Sequence, residues 1–373
     1  ATNMQTVNLA WMATDALTGV AGQQASNDGA TFTNVSASPA VWMLGGAQGQ
    51  VTVTLRVTDV AGNQAQATDT IFFDTASPTI TSAILNGGTP WTRFTTVNLA
   101  VTAGDGATTS GLFQVCVSGS VTPGCLPYAA TVPVTLTAGD GMKTVLVTVS
   151  DNAGNVSLAS MASVGLDQAT PTLGSINLNL NSTFTNTALV NASLIANDLG
   201  GSGLAQVQCQ TDLGAFVAPV SYAATISHTM TGADGLKTVG CKVIDGAGNE
   251  SSVNADTITL DTGAPTGTFV INAGNPAFTN NLNTTLVFTA NDASGVTHRC
   301  VGVAPVTAPA SNDPCFQPIA FTSFALAAGD GLKTLNVWFR DAANNVSVAV
   351  ATDSITLDQT APTLNVAGLG LAS

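Results

Sequence analysis

The chain has 373 residues, of which only 8% are charged, and 22 Asp and Glu against 8 Lys and Arg give a net charge of −14. So few, scattered basic residues exclude a nucleic-acid or anionic-membrane partner, since both need clustered positive charge. Hydrophobic residues at 45% exclude a disordered polar chain, and no apolar run reaches the roughly 18–20 residues of a membrane-spanning helix, so no transmembrane segment is expected.

Ala1 reads either as a mature N-terminus left by a removed signal peptide or as a cut within a longer chain. From it, the chain runs as repeats. In the first, Val53, Leu55 and Val57 alternate with Thr52, Thr54 and Arg56, the period-two pattern of a strand with one buried face. A loop Asp59-Val-Ala-Gly-Asn63 follows, then a segment Asp74-Thr-Ala-Ser-Pro78. The second repeat carries inward Val145, Val147 and Val149, the loop Asp151-Asn-Ala-Gly-Asn155 and the segment Asp167-Gln-Ala-Thr-Pro171. The third has Asp245-Gly-Ala-Gly-Asn249 and Asp261-Thr-Gly-Ala-Pro265. The fourth has inward Leu335, Val337 and Phe339, then Asp341-Ala-Ala-Asn-Asn345 and Asp358-Gln-Thr-Ala-Pro362.

The loop aspartates at 59, 151, 245 and 341 stand 92, 94 and 96 residues apart. That period fits one Ig-like sandwich per repeat. A turn before the long strand, centred on Asp140, Asp234 and Asp330, recurs in repeats two to four. The expected fold is all-β: four tandem seven-stranded Ig-like β-sandwiches in a rod, with no helix. The domains are residues 1–74, 75–167, 168–261 and 262–358, and residues 359–373 are a C-terminal donor strand or the start of a further repeat. The Asp-x-Ala-Gly-Asn segment joins strands F and G, the Asp-Gly turn joins E and F, and the Asp-x-x-x-Pro segment is the linker into strand A of the next domain.

Six cysteines fall two to a repeat, as Cys116 and Cys125, Cys209 and Cys241, and Cys300 and Cys315. An even count so partitioned predicts three local disulfides and an oxidising compartment; six buried thiols in a reducing cell is the alternative.

The Asp-x-Ala-Gly-Asn and Asp-Thr-x-x-Pro motifs resemble those of the bacterial Ig-like repeats of large surface adhesins and extracellular fibres, over the whole chain. The resemblance implies an extracellular, cell-surface stalk, adhesin or fibre component. Asn344 departs from it, standing where Gly stands elsewhere; asparagine tolerates left-handed backbone, so the turn is expected to survive.

The first repeat is incomplete. Thr-Val-Asn-Leu-Ala at 6–10 repeats verbatim at 96–100, so the chain begins at the position of Trp91 and the first domain lacks strand A. The tail from 359 to 373 matches residues 75–89, the missing piece. One reading is polymerisation with copies of itself, head to tail. The tail, with Pro362, Leu364, Val366, Leu369 and Leu371, would be added as a strand beside the acceptor edge Val7, Leu9 and Trp11 of the next molecule. The other is a window cut from a longer stalk. A carbohydrate-binding array is a third, with few aromatics to build it.

No cofactor is expected unless it is calcium at the domain junctions, the best ligand hypothesis the sequence offers. In this fold the B–C and F–G loops and the start of strand A share one end of the domain. The sequence therefore predicts three carboxylate clusters: Asp74 with Asp105 and Asp151, Asp167 with Asp198 and Asp245, and Asp261 with Asp292 and Asp341. A fourth, between molecules, would join Asp358 to Asp15 and Asp59. Three carboxylates suit a hard cation that takes six to eight oxygens; the alternative is that each Asp caps its own turn. Lys143, Lys237 and Lys333 are expected to pair with Asp167, Asp261 and Asp358. Trp42, Trp91 and Trp338 are expected to plug the ends of cores. His228 and His298, in different repeats, lack a nucleophile and carboxylate in any motif, and no catalytic constellation is expected.

Overall fold

The computed structural model describes residues 1–274, 277–303, 307–348 and 350–364. Strands dominate, and the helical residues among those described are two short 3-10 turns, Asn86–Gly88 and Asn272–Gly274. The chain forms two compact units: residues 1–171 with 198–204 and 244–250, and residues 172–197 and 205–243 with those from 251 onward.

In the first unit, the second repeat shows the full plan. A three-stranded sheet runs in the order Thr131–Thr135, Thr96–Gly104, Thr79–Leu85. A five-stranded sheet runs Gly124–Pro127, Leu112–Gly119, Gly141–Asp151, Ser160–Leu166, Trp91–Thr92, the last pair parallel. Val97, Leu99, Val101, Val145, Val147 and Val149 meet between the sheets at 0–4% exposure. The alternation of Val and Thr therefore does what period two demands, one face buried and one wet.

The first repeat is less complete. Thr33–Asn34, Val20–Ser26, Gly49–Asp59 and Gln64–Phe73 form a four-stranded sheet, and Thr6–Leu9 pairs with Ala40–Met43 alone. Nothing among the described residues occupies the place that Thr79–Leu85 fills beside Thr96–Gly104. The core is correspondingly thin: Leu44, Val51, Val53 and Phe73 are buried, and Val7, Leu9 and Trp42 only partly so. The expected alternation also blurs there, with Thr54 buried and Leu55 and Val57 half-buried. Thr2 bridges Phe73 in parallel, as Trp91 and Thr92 join Gly165 and Leu166.

In the second unit the third repeat places Thr172–Leu178, Leu189–Asn197 and Thr225–Thr229 in one sheet. The fourth places Thr266–Ile271, Asn283–Asn291 and Ser323–Ala325 likewise, facing a sheet ordered Phe278–Thr279, Ala351–Leu357, Gly331–Asp341, Val296–Gly302, Gln317–Pro318. Leu335, Val337 and Phe339 are fully buried between these sheets.

Two tryptophans are not core plugs. Trp338 points away from that core and is buried on the other face of its sheet, in a satellite cluster with Cys300, Phe316 and the half-buried Cys315, Val346 and Val350. Trp91 lies flat on Gly165: a Cβ there would stand 2.2 Å from a ring carbon. Glycine is what lets the indole approach the backbone.

Candidate functional site

The chemistry-bearing residues gather where one repeat passes into the next. The linker aspartate ends the last strand of a repeat and directs its carboxylate into the B–C loop of the following one. Asp74 accepts from Ala76 N on Oδ1 (2.9 Å) and from Ser110 N on Oδ2 (2.6 Å). Asp167 does the same with Ala169 N (3.1 Å) and Ser202 N (2.8 Å). Asp261 does so with Gly263 N (3.0 Å) and Ser294 N (3.1 Å).

The F–G loop supplies the second carboxylate. Asp151 accepts from Asn155 N (2.8 Å) and Asn155 Nδ2 (2.7 Å), and Asp245 and Asp341 bind Asn249 and Asn345 identically at 2.8 Å. The loop turns through positive φ at Gly154 (94°), Gly248 (89°) and Asn344 (72°). The asparagine in the fourth repeat thus adopts the left-handed turn expected of it. The same Asn side chain reaches across to the linker. Nδ2 of Asn155, Asn249 and Asn345 donates to the main-chain oxygen of Asp74, Asp167 and Asp261 at 2.9, 2.9 and 2.8 Å. The B–C loop supplies the third carboxylate: Asp105 and Asp198 accept from Gly111 N (2.8 Å) and Gly203 N (2.7 Å), and Asp292 accepts from Ser294 N (2.9 Å).

All three predicted clusters assemble, each residue offering a carboxylate oxygen within 4.8 Å of the others. Asp74, Asp151, Asp167, Asp245, Asp261 and Asp341 are buried. Oδ1 of Asp105 and Oδ1 of Asp198 are buried without a hydrogen-bond partner. Burial, and then the charges of Asp151 and Asp74, hold Asp105 above the usual carboxylate range. Burial, and then Asp292 and Asp261, do the same to Asp341. For Asp74 burial pushes upward but is outweighed by the bonds from Ser110 and Ala76, and its carboxyl lies below that range. An orphaned anionic oxygen among like charges is the environment that a hard cation relieves.

The fourth predicted group would join two molecules; within one chain, Asp15 and Asp59 lie close enough for the charge of Asp15 to act on Asp59. Asp15 caps its own loop, accepting from Leu17, Thr18 and Gly19 N. Asp59 holds Asn63, and Asp358 accepts from Thr360 N.

The lysine pairs are overturned for Lys143 and Lys237. Lys143 donates to Ala138 O and Lys237 meets Asp212 at 3.4 Å, because the linker carboxylates are turned into the loops. The turn aspartates take up the linker instead: Asp140, Asp234 and Asp330 accept from Gln168, Thr262 and Gln359 N.

The structure contains the disulfides Cys116–Cys125, Cys209–Cys241 and Cys300–Cys315. At the proposed acceptor edge, Val7, Leu9 and Trp11 are half-buried, and Trp11 Nε1 donates to Gln23 Oε1 at 3.0 Å. Pro362 and Leu364 are exposed, while Val366, Leu369 and Leu371 lie outside the described residues. The Asn side-chain bridge went unassigned in the sequence, although its fixed place in the loop motif was visible. The Ser110, Ser202 and Ser294 amides sit five, four and two residues after their loop aspartates and gave no periodic signal.

Tandem sandwiches joined by such loops define a class of Ig-like repeat protein. Residues 21–75 and 140–262 match the family model described as a bacterial Ig-like domain. Among solved structures, the fibronectin(III)-like modules of Clostridium thermocellum CbhA are 15% identical, over 48% of this chain and 94% of that one, with a TM-score of 0.33. A tetra-tandem repeat in the extending region of a large adhesion protein is 18% identical, over 91% and 92%, with a TM-score of 0.28. The FN1–FN3 domains of chicken CNTN1 are 10% identical, over 70% and 96%, with a TM-score of 0.35. No curated protein matches.

Proposed function

We propose that this chain is a segment of a bacterial cell-surface stalk: four Ig-like sandwiches in series outside the cell, non-enzymatic, with calcium at the junctions. The observation that carries this reading is the threefold recurrence of one arrangement, an Asn bridge from F–G loop to linker beside three converging carboxylates. A chain that only needed four independent domains has no use for it. Calcium fits the donor set because Asp105 Oδ1 and Asp198 Oδ1 are buried and unpartnered. Bound there, it would supply charge neutralisation across linker and loops. Three disulfides favour an oxidising, extracellular setting.

The test is calorimetric unfolding of the full chain in calcium and in chelator, with small-angle scattering of both. A rise in Tm and a longer, less variable particle in calcium support the reading. Unchanged unfolding and scattering overturn the calcium clamp.

A second reading, head-to-tail strand donation into a filament, is favoured by the single-partner strand Thr6–Leu9 and by the return of Pro-Thr-apolar at 362–364 as at 78–80. Light scattering on the whole chain and on one ending at Gln359 tests it. Polymers from the first and monomers from the second are expected. Monomers from both overturn it.

A further inference from the structure

One inward-facing position differs in kind among the repeats. On the strand antiparallel to the second strand of each sandwich, Trp42 stands opposite Val7, Val134 opposite Val97, His228 opposite Val190 and Phe324 opposite Thr284. Three of these side chains are apolar and one is an imidazole. His228 is 5% exposed. Among the described residues, its ring has one hydrogen-bond partner, the buried Thr211 hydroxyl, with 2.9 Å between Nε2 and Oγ1.

The elements around the ring offer a proton no compensating charge. The strands Leu189–Asn197, Leu204–Thr211 and Thr225–Thr229 carry no titratable side chain besides His228 itself and Cys209, which is in a disulfide. The strand Gly235–Asp245 brings Lys237, Lys242 and Asp245. Lys237 Nζ is bound to Asp212 at 3.4 Å, and Asp212 also accepts from Thr238 N at 2.8 Å. The carboxylate closest in sequence to Thr211 is thus already engaged, and the nearby Lys237 is itself a cation.

We propose that His228 makes the third repeat acid-sensitive: on acidification its ring takes a second proton in a core that cannot hold the charge, and this repeat opens more readily while the histidine-free second repeat does not. Burial holds the His228 imidazole below its ordinary value, so the folded state binds fewer protons than the unfolded one. The stability this group contributes is whole above the unfolded histidine pKa and is lost as pH falls from there through the folded pKa. One proton linked to opening changes the opening constant about tenfold per pH unit inside that window.

The full chain in saturating calcium is followed by hydrogen exchange between about pH 7.5 and 5, bracketing the ordinary histidine pKa, with the two histidine rings titrated by NMR. Expected are a His228 ring that titrates below the ordinary histidine range, and a repeat-three opening constant that rises up to about tenfold per unit of acid while the second repeat stays level. H228V, which gives the third repeat the side chain that the second carries at Val134, removes the rise, and H298Q leaves it. A His228 ring titrating at or above the ordinary value overturns the proposal, and so does an equal acid response in H228V. The wild-type titration decides the matter if H228V does not fold.

Discussion

Replacing Asp105 by asparagine should have opposite effects with and without calcium. Asp74, Asp105 and Asp151 bring carboxylate oxygens within 4.8 Å of one another. Two unit charges at about that separation repel by about 3–4 kcal/mol at an effective dielectric of about 20, and by about 1 kcal/mol in water. Asp105 is half-buried, so the lower end applies, and D105N removes two such pairs. Asparagine keeps an oxygen for the Gly111 amide that now bonds Oδ2. In chelator D105N should therefore be more stable than wild type by about 1–2 kcal/mol. With calcium bound as proposed, the wild type should gain about 2.7 kcal/mol per site at a hundredfold excess over Kd, and D105N should lose that gain at the first junction. The assay is scanning calorimetry in both conditions, with hydrogen exchange across residues 105–111 to isolate this junction. A D105N protein that is less stable than wild type in chelator, and as strongly protected by calcium, would refute the reasoning.

Other expectations follow from the same geometry. Asn249→Ala removes the bonds to Asp167 O and Asp245 Oδ2 and leaves a carbonyl without its donor; a loss of about 2–3 kcal/mol should appear in urea unfolding. Gly165→Ala drives a methyl into the Trp91 ring, costing about 1–3 kcal/mol and shifting tryptophan emission to the red. Gly174→Ala, whose Cβ would meet only Ile195 O at 3.4 Å, should leave emission unchanged. The folded pKa of Asp105 and Asp341 lies above the unfolded value, so the folded state holds these protons longer. Their contribution to metal-free stability is therefore best below the ordinary carboxylate range and declines as pH rises through the folded pKa. The extra Tm gained from calcium should grow over that same window, and a gain independent of pH there would contradict it.

Sequence alone determined the repeat, its period, the strand character and the carboxylate partners. Each of these is written in local pattern: alternating Val and Thr dictate which face is buried, and a loop motif recurring at a fixed interval occupies the same place in each sandwich. Asp74, Asp105 and Asp151 could be grouped in advance because the fold brings those loop ends together. Tertiary structure alone decided where side chains turn once they are there. The linker carboxylates cap the B–C loop amides and leave Lys143 and Lys237 to other partners. The asparagine of the loop motif spans to the linker carbonyl, and Trp91 lies on a glycine outside the core. Those choices depend on which buried N–H and C=O groups would otherwise go unpaired, a competition among residues some 80 positions apart, as Asn155 and Asp74 are, which no local pattern records.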